Sequence, residues 1–289
     1  MPLALITGAS TGIGRATALR LAGSGWTVLA GVRDTAAGES LAAAPLTPGG
    51  TGPAGRIVPL KLEVTDPAQI AAAADQVREQ AAAASSAGLD ALINNAGIAI
   101  GGPVELLSDE DLHRQFEVNV FGQLAVTRAM LGPLRAARGR IIFTSSIGGR
   151  VAMAYTAPYA ASKHALEAFA DAMRVELSNS GIQVALIEPG SVATPIWDKG
   201  RGEADRLTIP AELQAYYGHV PAALDKALAD TASRGVPPEQ VAETIETALS
   251  AGRMRARYLV GRDARAMLAA KRLLPEHLFD RLVHRVLGV

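Results

Sequence analysis

A phenol and an ammonium stand four residues apart in the stretch Tyr-Ala-Ala-Ser-Lys, Tyr159 to Lys163. On a helix that spacing places both side chains on one face, so they reach into the same space. A cation beside a phenol stabilises the phenolate and draws down a pKa that is about 10 in water. Reaching about 7 takes roughly 4 kcal/mol, more than one lysine supplies alone. A tyrosine so placed can exchange a proton with an alcohol or carbonyl oxygen near neutral pH. Upstream, Ser146 closes the apolar run Gly-Arg-Ile-Ile-Phe-Thr-Ser-Ser with a hydroxyl able to donate to the same oxygen. Each feature alone is weak, because surface Tyr–Lys pairs and serines at strand ends are ordinary.

A second candidate lies at the start of the chain, in Thr-Gly-Ala-Ser-Thr-Gly-Ile-Gly (7–14). Glycines between a strand and a helix let backbone N–H groups approach an anion at the helix N-terminus. The spacing is G-x-x-x-G-x-G, neither the G-x-G-x-x-G fingerprint nor a G-x-x-x-x-G-K-[ST] loop. The same residues, Gly8 to Gly12, also spell G-x-S-x-G, the nucleophile elbow of a serine hydrolase. That reading needs an acid and a histidine for Ser10, and the five histidines leave it formally open. An elbow, however, normally follows several strands and an oxyanion loop, and this turn follows the first strand.

The elements that would position these groups are legible in the hydrophobic pattern. Apolar runs at 3–7, 26–32, 56–64, 89–95, 139–146, 182–190 and 257–261 read as buried strands. Helical patterns separate them at 13–22, 67–87, 108–137, 156–180 and 237–251. Alternation sustained this long implies a parallel sheet with helices on both faces. The stretch 45–55 reads as a surface loop. Residues 191–236 break the alternation with prolines, Trp197, Tyr216, Tyr217 and His219, after a strand's carboxyl end where ligands bind in open α/β sheets. A long irregular segment there predicts a substrate lid. One domain spans 1–262, followed by a helical extension, 263–289.

Composition narrows the classes further. Hydrophobic residues are 49% and charged residues 19%, which excludes a disordered or fibrous chain. Lys plus Arg (28) balances Asp plus Glu (28), which predicts no nucleic-acid partner. Zero cysteines excludes disulfides, thiolate metal sites and cysteine nucleophiles, and no metal site is expected. With neither a signal peptide nor a long apolar span, the expected location is cytoplasmic.

Taken together, these motifs resemble the short-chain dehydrogenase/reductase family from residue 3 to about 262. Thr-Gly-Ala-Ser-Thr-Gly-Ile-Gly is similar to its cofactor turn, Asn-Asn-Ala-Gly (94–97) to its central-strand motif and Asn-Val-Phe-Gly (119–122) to its catalytic-Asn segment. Ser146 with Tyr-Ala-Ala-Ser-Lys, and Pro-Gly-Ser-Val-Ala-Thr-Pro (189–195), complete the series. The resemblance implies an α/β fold, a doubly wound Rossmann-type sheet of about seven parallel strands. It implies that Tyr159 is the acid/base, that Ser146 polarises the substrate oxygen, and that Lys163 binds the nicotinamide ribose and lowers the Tyr159 pKa. Asn119 would hold a water linking Lys163 to solvent. Implied cofactor contacts are Gly8, Ser10, Thr11, Gly12, Ile13, Gly14, Arg33, Glu63, Val64, Asn95, Ala96, Gly97, Tyr159, Lys163, Pro189, Gly190, Val192 and Thr194. Asn94 reads as structural. Glu63-Val64 departs from the family's usual Asp-Val, which puts the adenine contact of residue 63 in doubt.

Gly-Val-Arg-Asp (31–34) and the extension past 262 most resemble the hydroxysteroid and retinol dehydrogenase-like branch, which implies a lipophilic alcohol or ketone substrate. The second strand ends at apolar Val32 followed by Arg33, whose guanidinium suits a phosphate, so NADP(H) is expected over NAD(H). Asp34 stands next to Arg33 and could neutralise it. Family members pair through the helices near 108–137 and 156–180, so a homodimer or homotetramer is expected. From Arg253 to Val289, nine Lys/Arg face three Asp/Glu, and Leu278, Leu282 and Val286 recur at helical spacing. That amphipathic helix is expected to pack on its own domain or a sister subunit, with an anionic membrane surface as the alternative. A catalytically idle dinucleotide-binding sensor or scaffold is the alternative function.

Overall fold

The computed structural model describes residues 1–47, 53–84, 86–196 and 209–287. Trp197 and part of the 45–55 loop lie outside them. Seven parallel strands form one sheet in the order β3-β2-β1-β4-β5-β6-β7. They are β1 (Leu3–Thr7), β2 (Thr27–Val32), β3 (Arg56–Lys61), β4 (Ala91–Asn94), β5 (Arg140–Thr144), β6 (Gln183–Pro189) and β7 (Arg257–Val260). Every expected strand is present, β1 with the expected bounds and the others trimmed by one to three residues at one or both ends. Pro59 lies in β3, which is an edge strand, where a missing backbone donor costs least.

Helices cover both faces: α1 (Gly12–Gly23), α2 (Thr35–Ala42), α3 (Pro67–Ala83), α4 (Asp109–Phe116), α5 (Gln123–Ala137) and α6 (Ala157–Glu176). Side chains alternate along each strand, so each face has its own core. Ala4, Ile6, Val28, Ala30 and Ile93 join one cluster. Leu3, Leu5, Leu29, Leu92 and Phe143 join the other. The chain reverses its direction of travel across the sheet between β1 and β4, opening a crevice at the strands' carboxyl ends.

Three elements differ from the sequence reading. Helix α2 was not expected; Asp34 caps it by accepting from the Ala36 N–H at 3.0 Å. The expected helix at 108–137 is interrupted by a π-helical turn, Glu117–Gly122, between α4 and α5. Residues 209–236, expected to be irregular, are largely helical. A short turn, Gln214–Tyr217, precedes α7 (Val220–Arg234), in which Pro221 occupies the first turn, where proline is tolerated. Helix α8 (Pro238–Ser250) then packs on α1, with Arg20 and Ser24 both bonded to Glu246. After β7 come α9 (Arg262–Leu273) and α10 (Glu276–Leu287). Phe279 of α10 is buried beneath the Lys271 ammonium, whereas Leu278 is exposed. Among the described residues, no helix is long and apolar enough to cross a membrane.

Candidate active site

The crevice at the strand reversal is a cleft of about 580 Å³, within the usual range for a small-molecule site. Its floor is stitched across the reversal. The Thr7 hydroxyl accepts the N–H groups of Asn95 and Ala96, each at 2.9 Å. The Asn95 amide in turn donates to the carbonyls of Thr7 and Gly8.

The glycine turn has the shape an anion cradle needs. Gly8 and Gly12 hold positive φ, +65° and +56°. A Cβ at Gly14 would lie 2.3 Å from the Gly8 carbonyl oxygen, so the helix can start this close to β1 only with glycine there. Thr11, at the helix start, makes no side-chain cap bond, and the first turn of α1 carries no acidic residue. Its N–H groups and positive dipole end therefore face the cleft. Across the cleft, Thr194 approaches so closely that a Cβ at Gly12 would lie 3.1 Å from its methyl group. The Thr194 loop is fixed by its own turn and by a bridge between Val192 and Val236. That bridge also ties together the two ends of the segment expected to be a lid.

Gly8, Ser10, Thr11, Gly12, Ile13, Arg33, Glu63, Val64, Asn95, Ala96, Gly97, Pro189, Gly190, Val192 and Thr194 all line the cleft, as do Ser146, Tyr159 and Lys163. Gly14 lies beneath the turn rather than on the surface. No histidine is among the described lining residues, so Ser10 has no base there and the hydrolase elbow is discarded. Asp34 caps α2, and no Arg33–Asp34 ion pair forms among the described residues. The acid nearest Arg33 in the structure is Glu63, 3.9 Å away, on a side chain 30% exposed against 68% for the arginine. So loose and wet a pair is weak and leaves the guanidinium available.

Helix α6 carries Tyr159 and Lys163 on one face, as the four-residue spacing requires. The ammonium sits 5.7 Å from the centre of the phenol ring and donates to the Thr144 carbonyl at 2.8 Å. Ser146 follows β5 and accepts from the Gly148 N–H at 3.0 Å, which fixes its oxygen and leaves its own proton to donate. Burial pushes the Tyr159 phenol above its ordinary pKa, opposed by a hydrogen bond from Ser146. The expected net lowering by Lys163 is therefore corrected: in the cleft as it stands, desolvation of the phenolate wins. Burial also lowers Lys163, to about 8, against the pull of Glu167. A neutral phenol beside an ammonium and a serine hydroxyl can give a proton to an oxygen anion forming in the cleft.

Asn119 stands behind the cleft wall. It is fully buried in the π-helical turn and is not among the cleft-lining residues. Its amide donates to the Ile98 carbonyl and the Ser162 hydroxyl, and its oxygen accepts from the Ile98 N–H. Those bonds occupy the side chain in holding the strand end beside Gly97. Asn94 is structural, bonded to Thr127 at 2.8 Å beneath the sheet end. The sequence reading missed Arg114 of α4 and Ile98, Pro195 and Ile196, which also line the cleft. Pro195 closes the quoted motif 189–195 and Ile98 and Ile196 directly adjoin quoted motifs, whereas Arg114 carried no local signal.

Comparison with known proteins agrees with this geometry. The family profile described as short chain dehydrogenase matches residues 2–204. The NADPH-dependent 3-dehydrocapnine reductase of Ornithobacterium rhinotracheale is 32% identical, over 99% of this chain and 97% of its own. Retinol dehydrogenase 5 of Mus musculus is 34% identical, over 98% of this chain and 87% of its own. A short chain dehydrogenase from Burkholderia cenocepacia, solved in complex with NADP, superposes with a TM-score of 0.70 at 25% identity, over 97% of each chain. With a parallel seven-stranded sheet, a glycine cradle and a profile match over most of its length, the chain belongs to the short-chain dehydrogenase family of oxidoreductases, which act on CH–OH groups.

Proposed function

We propose that the protein interconverts a secondary alcohol and a ketone on a lipophilic substrate, with NADP(H) as the redox partner and Tyr159 as the acid/base. The observation that carries this reading is that one cleft holds both the glycine cradle and the Ser146–Tyr159–Lys163 group. The cleft fits a dinucleotide: glycine at 8, 12 and 14 lets the turn close tightly against Ala96, Thr194 and its own backbone, leaving the uncapped α1 N-terminus for an anion. The α1 N-terminus would hold the pyrophosphate, Arg33 the extra phosphate, Lys163 the nicotinamide ribose, and Val192 and Thr194 the carboxamide. When bound, the nicotinamide supplies or accepts the hydride.

Tyr159 donates its proton to the carbonyl oxygen in reduction and recovers it in oxidation. Its upward-shifted pKa keeps it protonated at neutral pH, which suits the donor role. Ser146 donates to the same oxygen and fixes its position, while the Lys163 charge stabilises the phenolate left behind. Ile98, Pro195 and Ile196 give the open end of the cleft an apolar lining. The similarity to retinol dehydrogenase 5 also favours a lipophilic substrate. The catalytic unit ends near residue 262, the lid expected at 191–236 falls partly on 197–208, outside the described residues, and the extension is described to residue 287. Exposed Phe121, Phe169 and Val175 lie on the elements expected to pair two subunits. The test is oxidation of NADPH and of NADH against a panel of aliphatic, alicyclic and polar ketones. Turnover confined to NADPH and apolar ketones is expected; turnover with no ketone, or a preference for NADH, overturns the corresponding part.

A further inference from the structure

One turn along α6 from Lys163 lies a buried cluster of charge. Glu167, one helical turn beyond Lys163, is 5% exposed, and Glu188 of β6 is 1% exposed. Arg257 of β7 bonds Glu167 at 3.0 Å, Asp171 of α6 at 2.6 Å and Glu188 at 3.1 Å. Arg150, in the loop after β5, holds Glu188 at 3.0 Å. Two guanidiniums thus face three carboxylates, and the Lys163 ammonium is the third cation. Glu167 Oε1 and the neighbouring Ser145 hydroxyl make no hydrogen bond of ordinary geometry among the described residues, although the hydroxyl lies near enough to pull on the carboxylate. Packing over the pair is tight: a Cβ at Gly149 would lie 3.0 Å from Glu167 Cγ and 3.2 Å from the Lys163 carbonyl. With so little room for water, the charges act on one another at low effective dielectric.

We propose that Glu167 is a positioning residue for the reaction, a buried carboxylate whose charge keeps the Lys163 ammonium protonated beside Tyr159. The proposal rests on the roles assigned above to Tyr159 and Lys163. Burial and the nearby Glu188 raise Glu167 to about 7, against the pull of Ser145 and Arg257. Lys163 titrates at about 8. The Glu167 charge, one helical turn from Lys163, therefore opposes the loss of its proton. Of the other groups facing Glu167, Arg257 stays charged throughout, Asp171 is held below its ordinary value by its hydrogen bond to Arg257, and Ser145 does not ionise in this range.

The chain has five lysines, so carbon-13 NMR of lysine Cε in the intact protein resolves Lys163 directly, with Lys163→Arg used for assignment. In Glu167→Gln the Lys163 midpoint should fall by about one pKa unit, at the low end of the effect of an adjacent opposite charge. The alkaline limb of turnover should move with it, and Glu167→Asp should restore both. In the wild type, the Lys163 signal should also show a second, smaller inflection from Glu167, which Glu188→Gln moves to lower pH. That readout holds even if Glu167→Gln does not fold. An unmoved midpoint in Glu167→Gln, the same fall in Glu188→Gln, or a single-step wild-type titration overturns the proposal. Tyr159→Phe separates the two claims: if it is inactive while Lys163 is unmoved, only the role of Glu167 fails. If it is active, the reading of the cleft fails.

Discussion

Replacing Arg257 with leucine removes the guanidinium shared by Glu167, Asp171 and Glu188 while keeping a side chain suited to β7. Two of those carboxylates are almost wholly buried. Breaking a buried pair by removing one partner costs about 3–5 kcal/mol, because the charge left behind is uncompensated. Glu188 keeps Arg150, so the low end, about 3 kcal/mol, is expected for the buried part. Asp171, 40% exposed, adds at most about 1 kcal/mol. The loss should depend on pH. Glu167 already titrates near 7 with Arg257 present, and without it the folded-state value rises further. A carboxyl raised above its unfolded value is stabilising below that unfolded value, and the benefit is lost as pH rises through the folded one. The gap between wild type and Arg257→Leu should therefore widen as pH rises through 7 and narrow on acidification. Urea unfolding at about pH 8 and about pH 5.5 measures both gaps. A loss below about 1 kcal/mol at the higher pH, or equal losses at both, would refute the reasoning.

Gly14→Ala should weaken NADP(H) binding at least tenfold in a calorimetric titration, because its Cβ would strike the Gly8 carbonyl oxygen and open the turn. Asp263 of α9 accepts the Ser191 N–H at 2.7 Å and packs against Gly190, fixing the loop that leads to Thr194. Asp263→Ala should raise the cofactor Kd with substrate KM little changed, losing about 1.5–3 kcal/mol for a charge-assisted hydrogen bond; an unaltered Kd would free the extension from any part in that loop. Arg33→Ala should cost about 1.5–3 kcal/mol of binding with NADP(H) and almost nothing with NAD(H). Equal losses with both cofactors would show that Arg33 does not read the phosphate.

The sheet was legible because its inner strands are apolar runs buried on both faces, the pattern of a parallel sheet's core. The glycine turn and the Tyr159–Lys163 pair were legible because their spacing is imposed by local geometry. Features set by tertiary contact were not. Helix α2, Thr35-Ala-Ala-Gly-Glu-Ser-Leu-Ala, buries only Gly38 and Leu41 and has little apolar periodicity to read. The helical segment at 209–236 was hidden by prolines and aromatic residues that read as loop, although Pro221 sits where a helix accepts one. The direction of the Tyr159 shift was misread because spacing identifies a neighbouring charge, whereas burial depends on the packed cleft. Asn119 was placed in the right segment, but only its partners, Ile98 and Ser162, show what its side chain does. Glu167 is written four residues after Lys163, yet its relation to Arg257 and Glu188 spans three separate strands and helices.

The central claim is that the Tyr159 phenol supplies the proton, and it is tested most directly by Tyr159→Phe. With NADPH and the best ketone from the panel, cofactor oxidation is followed in a single turnover, alongside calorimetric titration of NADPH. Loss of the transferable proton should lower the rate by about 10²–10⁴-fold, the usual contribution of a positioned acid. Cofactor affinity should stay within a factor of about two, because the ring and its packing remain and only one hydroxyl is lost. A variant that binds NADPH normally and still turns over at a rate close to wild type would contradict the account.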